Sequence, residues 1–202
     1  MTHPDIAFVV NKAFQFMHQP TSAHWFSVKQ ILRYLKGTMH EGQLLSPSSH
    51  LTLEGFTDAD WGGQPNDRHS TSGYLVYLGG NLVSWSLSKQ KVVSRSSAES
   101  EYCGLAFATT EMIWIQALLQ EPCVSIPAIP FLWYVNINAY HMAKNPVFHA
   151  RMKHIEIDLH FIHDQVTRGK IQLQFMPTEE QPADLLSISQ VQSSYLSNLS
   201  FV

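Results

Sequence analysis

Apolar side chains open the chain at helical spacing. Ile6, Val10, Ala13, Phe14 and Met17 share one face at about 100° per residue, and Pro4 suits a first helical turn. That pattern predicts an amphipathic helix. Gln19-Pro20 breaks it, Thr21 can cap a second helix with the stripe Trp25, Val28, Ile31, Leu32 and Leu35, and Gly37 ends that helix. The pair forms a helical hairpin. After Ser46-Pro47-Ser48-Ser49 the period changes. Runs at 51–57, 73–78 and 82–87 read as strands, and Gly79-Gly80-Asn81 marks a hairpin between the last two. An antiparallel meander is the economical arrangement.

Ser96 followed by Glu99 matches a capping box and predicts a long helix from about Ser97 through Leu119. Its apolar face carries Leu105, Ala108, Met112 and Leu119; helical spacing puts Glu101 on that face and points Glu99 away. The continuous apolar run Phe131-Leu132-Trp133-Tyr134-Val135 suits a strand covered on both faces. Asn136 or Asn138 is expected to cap a short helix through Ala143, and a further helix is expected from about Met152 to Val166. Ile171, Leu173 and Phe175 alternate as a final strand, and Thr178 with Gln181 forms a second capping box, opening a helix that carries Asp184. The order βββαβαβα implies a mixed sheet with helices packed on it. The linker separates a hairpin unit, 1–45, from a domain over 50–186. The Ser-, Gln- and Asn-rich run 187–202 is expected to be a disordered tail.

Charge narrows the function classes. With 13 Lys and Arg against 16 Asp and Glu, the net charge of −3 sets up no global field toward nucleic acid, so such binding needs a local patch. Cys103 and Cys123 lack the paired spacing of a zinc site or disulfide framework. The first residues lack the basic start and apolar run of a signal peptide, and no run reaches the roughly 18 apolar residues of a membrane span. A soluble intracellular protein, cytoplasmic or nuclear, with no membrane partner is expected.

Candidate chemistry gathers at Phe56-Thr57-Asp58-Ala59-Asp60-Trp61. Two carboxylates there follow a strand and precede Gly62-Gly63, a setting for metal or phosphate chemistry. Asp58 serves equally as a turn residue, and Asp60 is expected to face solvent or order the turn. Glu101 has an ordinary alternative as a dipole partner of its helix, and Asp184 has the same one. His149, His154, His160 and His163 fit no common zinc spacing and read as surface or core-edge residues. Trp61, Trp85, Trp114 and Trp133 read as core rather than stacking platforms. Lys89, Lys91, Arg95, Lys144, Arg151 and Lys153 are candidates for phosphate contacts, with a solvated face as the alternative.

These segments together carry a resemblance. THPDIAFVVN, ILRYLKGT, GFTDADWGG, RHSTSGYLVYLGGNLVSWSLSKQ, SRSSAESEY, NPVFHARMKHIEIDLHFI and EEQPAD run in order from Thr2 to about Leu186. They resemble the end of the polymerase region plus the ribonuclease H domain of a copia-type retrotransposon polyprotein. The resemblance implies an α/β, ribonuclease H-like mixed sheet, an antiparallel meander plus parallel strands with packed helices, preceded by the helical hairpin. It implies an activity too, endonucleolytic hydrolysis of the RNA strand of RNA·DNA hybrids. Such a reaction is an in-line displacement at phosphorus, assisted by two Mg²⁺ (or Mn²⁺) ions about 4 Å apart. Hard cations take oxygen ligands. By motif, the first of the family's four carboxylates falls on Asp58, the second on Glu101 and the fourth on Asp184.

The third position departs from the family. Where members resembling this chain have an Asp-Asn pair ending the buried strand, this sequence has Val135-Asn136, and Asn136 points to the opposite face. The resemblance therefore implies an enzyme impaired or inactive in this copy. The partners it implies are an RNA·DNA hybrid and the polymerase region of a full polyprotein. The paired catalytic aspartates of that region do not precede Met1, so a complete reverse transcriptase is not expected. Two other readings stand beside it: an inactive module that binds nucleic acid or protein, and a transposon relic with no selected role.

Overall fold

The computed structural model describes residues 3, 6–62, 68–135 and 156–183. The chain divides into two compact units between Leu45 and Ser46. In the first, α1 (Ala7–Phe14) and α2 (Ser22–Gly37) form the expected helical pair. Thr21 Oγ1 accepts from the His24 N–H at 3.3 Å, and His24 Nδ1 accepts from the Thr21 N–H at 3.1 Å. This is a capping box with histidine in the usual Glu/Gln place. The His24 ring also stacks on Phe16, 4.2 Å between centroids, which ties the end of α1 to the start of α2. No residue of α2 is buried, and Trp25 on its apolar stripe is 57% exposed.

The second unit is built on a meander of β1 (Leu53–Asp60), β2 (Thr71–Leu78) and β3 (Asn81–Lys89). Gly79 and Gly80 sit at φ +56° and +80°, the left-handed pair that a two-residue type I′ turn requires. After β3 come α3 (Ser97–Gln120), β4 (Phe131–Tyr134), α4 (Glu156–Thr167) and β5 (Gln172–Phe175). The sheet order is β3-β2-β1-β4-β5, antiparallel between β1, β2 and β3 and parallel from β1 to β4 to β5. The expected mixed sheet is therefore present. α3 covers its centre with Tyr102, Leu105, Ala108, Met112 and Ile115, and α4 adds Leu159 and Ile162.

Two missing side chains let α3 come this close. A Cβ on Gly55 of β1 would lie 2.5 Å from Met112 Sδ and 2.9 Å from Leu132 Cδ1. One on Gly104 would lie 3.2 Å from Thr57 Oγ1 and 3.7 Å from the Asp58 carbonyl oxygen. The helix thus crosses β1 diagonally, with Met112 over Gly55 and Gly104 over Thr57. Burying Met112 alone contributes about 1.5–3 kcal/mol.

Several sequence expectations need correction. β1 runs on to Asp60 because Thr71 of β2 pairs with it, so Asp58 and Asp60 lie inside the strand rather than beyond it. Asp60 is partly buried rather than turned to solvent. Glu99 does not point away: it is 2% exposed, and its carboxylate folds back to accept from the Arg95 N–H at 2.7 Å. The first-turn carboxylate reaches back past the N-cap Ser96 to the amide just before it, at the positive end of the helix. Thr178 and Gln181 open no α-helix among the described residues. A 3₁₀ turn spans Thr178–Glu180, Pro182 disfavours a helical Gln181, and the Gln181 amide bonds elsewhere. Trp61 and Trp114 are exposed rather than core. α3 is long and apolar enough, by length and composition, to cross a membrane, contrary to the sequence estimate, and the fold packs it on the sheet. The short helix expected before Ala143 and the start of the next at Met152 lie outside the described residues.

The turn offers a direct test of its geometry. At Gly79 a Cβ would sit 2.8 Å from Ser48 Cβ and 3.2 Å from the His50 carbonyl oxygen, whereas at Gly80 nothing lies within 4 Å. Both residues have positive φ, so both alanine variants carry the backbone strain and only Gly79→Ala adds a clash. Urea unfolding should show Gly79→Ala losing more stability than Gly80→Ala, by about 1 kcal/mol or more. Equal losses would refute the packing of the turn against residues 48–50.

Candidate metal and nucleic-acid site

Asp58 sits in the middle strand and is 7% exposed. Across the sheet it pairs with Gly73, which presents no side chain, and Gly73 pairs with Leu87. Two residues on, Asp60 pairs with Thr71 and Thr71 with Lys89, so this rung carries a carboxylate and an ammonium two strands apart. Thr57 faces α3 through its contact at Gly104. Strand alternation then places Asp58 and Asp60 on the other surface, together with Phe56, whose ring stacks on Trp133 at 6.4 Å. Burial raises the pKa of Asp60 above the usual carboxylate range, and the Asp58 charge raises it further.

Glu101 lies in the second turn of α3 and is 8% exposed, as its helical position foretold. One turn later Gly104 brings the helix against the Asp58 backbone. Asp58 and Glu101 are thereby delivered to the same end of the sheet from two sides of β1. Val135 follows β4, whose parallel register pairs Phe56 with Trp133. That pairing ends at Phe56 and Trp133, and Val135 lies just past the end of β4.

A buried amide holds this end of the molecule together. Gln90 is 5% exposed; its Nε2 donates to Ser72 Oγ at 2.6 Å and to the Ser100 carbonyl at 2.8 Å, and its Oε1 accepts from Ser94 Oγ at 2.8 Å. Three segments meet in that one side chain: β2, the loop 90–96 and the first turn of α3 next to Glu101. The same loop takes the Trp61 indole, whose Nε1 donates to the Ser94 carbonyl at 3.0 Å. Lys91 and Arg95 are exposed on it, and Lys89 is partly buried at its start. From the far end of the chain, Gln181 Nε2 donates to the Thr57 carbonyl at 3.2 Å, and Gln181 Oε1 accepts from the Ala183 N–H at 3.4 Å. Sequence reasoning did not single out Gln90, and it named Gln181 only as a capping partner of Thr178. A lone Gln carries no motif, and its importance emerges only once strand pairing brings serines and an open carbonyl to it.

Cys103 is a structural thiol. Its Sγ lies 3.9 Å from Asp158 Oδ2, and burial, with Asp158 and Glu99 nearby, pushes its pKa up to about 12. His160 and His163 are exposed on α4. Asp184, Lys144, Arg151, Lys153, His149 and His154 lie outside the described residues. Among the described residues no three His, Cys, Asp or Glu side chains gather as a ligand set. Asp58 and Glu101 are oxygen donors, and the Asp58–Asp60 repulsion is the kind of electrostatics a divalent cation relieves, so the residues fit a hard cation. Val135 contributes no ligand to it.

A five-stranded sheet in this order, with a long helix across its centre, is a ribonuclease H-like fold. LC11-RNase H1, isolated from compost by a metagenomic approach, superimposes with a TM-score of 0.51 at 16% identity, over 69% of this chain and 97% of that one. No family model matches the sequence. The retrovirus-related Pol polyprotein from transposon RE1 of Arabidopsis thaliana is 46% identical over 186 residues, 92% of this chain and 13% of the relative. That from transposon TNT 1-94 of Nicotiana tabacum is 36% identical over 187 residues, 92% of this chain and 14% of the relative. The chain belongs to the copia-type retrovirus-related Pol polyproteins, and it spans about 13% of the length of RE1.

The crowding of Asp58 and Asp60 has a measurable sign. Folding raises the Asp60 pKa, so the ionised carboxylate opposes folding above its unfolded value and ceases to do so as pH falls below it. Asp60→Asn should therefore be stabilising at pH 7 without added metal, by under about 1 kcal/mol because the group is partly solvated. The gain should vanish in melts near pH 3. A destabilised variant at pH 7 would show that Asp60 makes a favourable contact as an anion.

Proposed function

We propose that this chain is a retrotransposon-derived ribonuclease H domain, over about 50–186, that binds RNA·DNA hybrids and is impaired in hydrolysing the RNA strand. The observation that carries the reading is the approach of α3 to β1 at Gly104, which brings the Glu101 turn to the Asp58 backbone within a ribonuclease H-like sheet. Asp58, Glu101 and Asp184 are the carboxylates assigned to the metal site. Bound Mg²⁺ or Mn²⁺ would polarise the scissile phosphate and lower the pKa of the attacking water. The chain's own part is to hold these carboxylates on rigid elements and to bind the duplex. Lys89, Lys91 and Arg95, with Arg151 and Lys153, are assigned to the phosphates, each neutralised phosphate adding salt-dependent affinity. The hairpin over 1–45 is assigned to the end of a polymerase region, the natural neighbour in a longer polyprotein.

Val135 supports impairment. The resemblance aligns Val135 with the third carboxylate of the family, and an isopropyl group there can supply no ligand oxygen. The same substitution leaves the duplex-binding loop untouched, so hybrid binding without cleavage is the second reading.

A revertant tests the assignment. In Mg²⁺, Val135→Asp should cleave a labelled hybrid about two orders of magnitude faster than the native chain, and Asp58→Asn added to the revertant should abolish the gain. Native cleavage as fast as that of the revertant would remove position 135 from the mechanism.

A further inference from the structure

Trp61 is the residue that the site leaves unexplained. It directly follows Asp60 at the end of β1, and 52% of its surface is exposed. A tryptophan this open is ordinarily free to sample rotamers. This one is pinned, because Nε1 donates to the Ser94 carbonyl at 3.0 Å. Ser94 is held in turn by its hydroxyl on Gln90 Oε1 at 2.8 Å, and Gln90 is locked to Ser72 and Ser100. The indole's one polar atom is thus satisfied inside the protein, and what remains open to solvent is apolar ring. The loop that pins it also exposes Lys91 and Arg95, cations suited to the phosphates on either side of a stacked group. A rigid aromatic face flanked by cations is the combination that nucleic-acid surfaces use.

We propose that Trp61 is a nucleic-acid contact residue, a fixed indole platform at the rim of the Asp58 site that packs against a sugar or base of the RNA·DNA hybrid. The proposal rests on the hybrid-binding reading above and deepens it. The loop cations supply the salt-dependent part of the affinity, and the ring supplies a part that salt does not screen. Because the ring begins one residue after the acidic strand, it sets how the duplex enters the site. The Gln90 network holds the ring in place before the duplex arrives, so little side-chain entropy is lost on contact.

Binding of a short fluorescent RNA·DNA hybrid to the full chain, followed by anisotropy across a salt series with EDTA and again with Mg²⁺, separates these contributions. Trp61→Ala should weaken binding about 10-fold at every salt concentration without changing the salt slope. Lys91→Ala should flatten the slope by about 0.9. Trp61→Phe keeps a ring and loses the hydrogen bond; it should bind within about threefold of the native chain if the ring is the contact. If Trp61 serves only to pin the loop, Phe will behave like Ala, and the proposal fails. It fails also if folded Trp61→Ala binds as the native chain does, an outcome that leaves the hybrid-binding reading standing. Absence of hybrid binding by the native chain at low salt would overturn both. Should the Ala variant melt below the assay temperature, Trp61→Leu, apolar but unable to stack, takes its place with the same expectations.

Discussion

The close crossing of α3 over β1 is the contact on which the rest of the structure depends. It exists because Gly55 and Gly104 put no Cβ between the two backbones, leaving Met112 and Thr57 to fill the seam. A conventional side chain at either glycine would press the helix off the sheet, since interiors this dense have no slack to absorb a methyl group. From that crossing follow the burial of Tyr102 and Leu105, the position of the Glu101 turn, and the span that Gln90 bridges from β2 to Ser100. Core packing and site geometry are one arrangement here.

Most of the fold was legible because its signals are local. The caps at Thr21 and Ser96, the Gly79-Gly80 turn and the meander can each be read within a few residues. Strand extent was less legible. Whether β1 stops at Thr57 or runs to Asp60 is decided by Thr71 on another strand, which no local window contains. Glu99 misled for a related reason: helical periodicity describes the middle of a helix, whereas a first-turn carboxylate can reach back to the segment that enters the helix, here the Arg95 amide. Around the candidate site, the buried position of Glu101 was legible from its helical face. Gln90, Gln181 and the pinned Trp61 were not, because their partners lie on other segments and glutamine and tryptophan carry no fixed spacing.

Val135 is a position where the demands of packing and those of the proposed chemistry differ. At the end of an apolar strand a valine is what packing prefers, and the pairing of β1 with β4 stops short of it, at Trp133. A carboxylate there would add a further anion to a strand end where Asp58 already raises the pKa of Asp60. A valine adds no such charge, in keeping with the general tension between stability and strained functional sites.

The bond from Gln181 to the Thr57 carbonyl reaches across 124 positions of sequence. Beyond Phe56 the register of β1 with β4 ends, and a glutamine side chain serves the next carbonyl as an extra rung. During synthesis the middle strand of the sheet cannot complete its ladder until the chain has grown past residue 181, so its assembly is a late event however early the meander forms. Any product ending before that glutamine would leave a buried acceptor unserved, at a cost of about 1–3 kcal/mol. The last part of the domain to emerge is thus the part that closes its first strand.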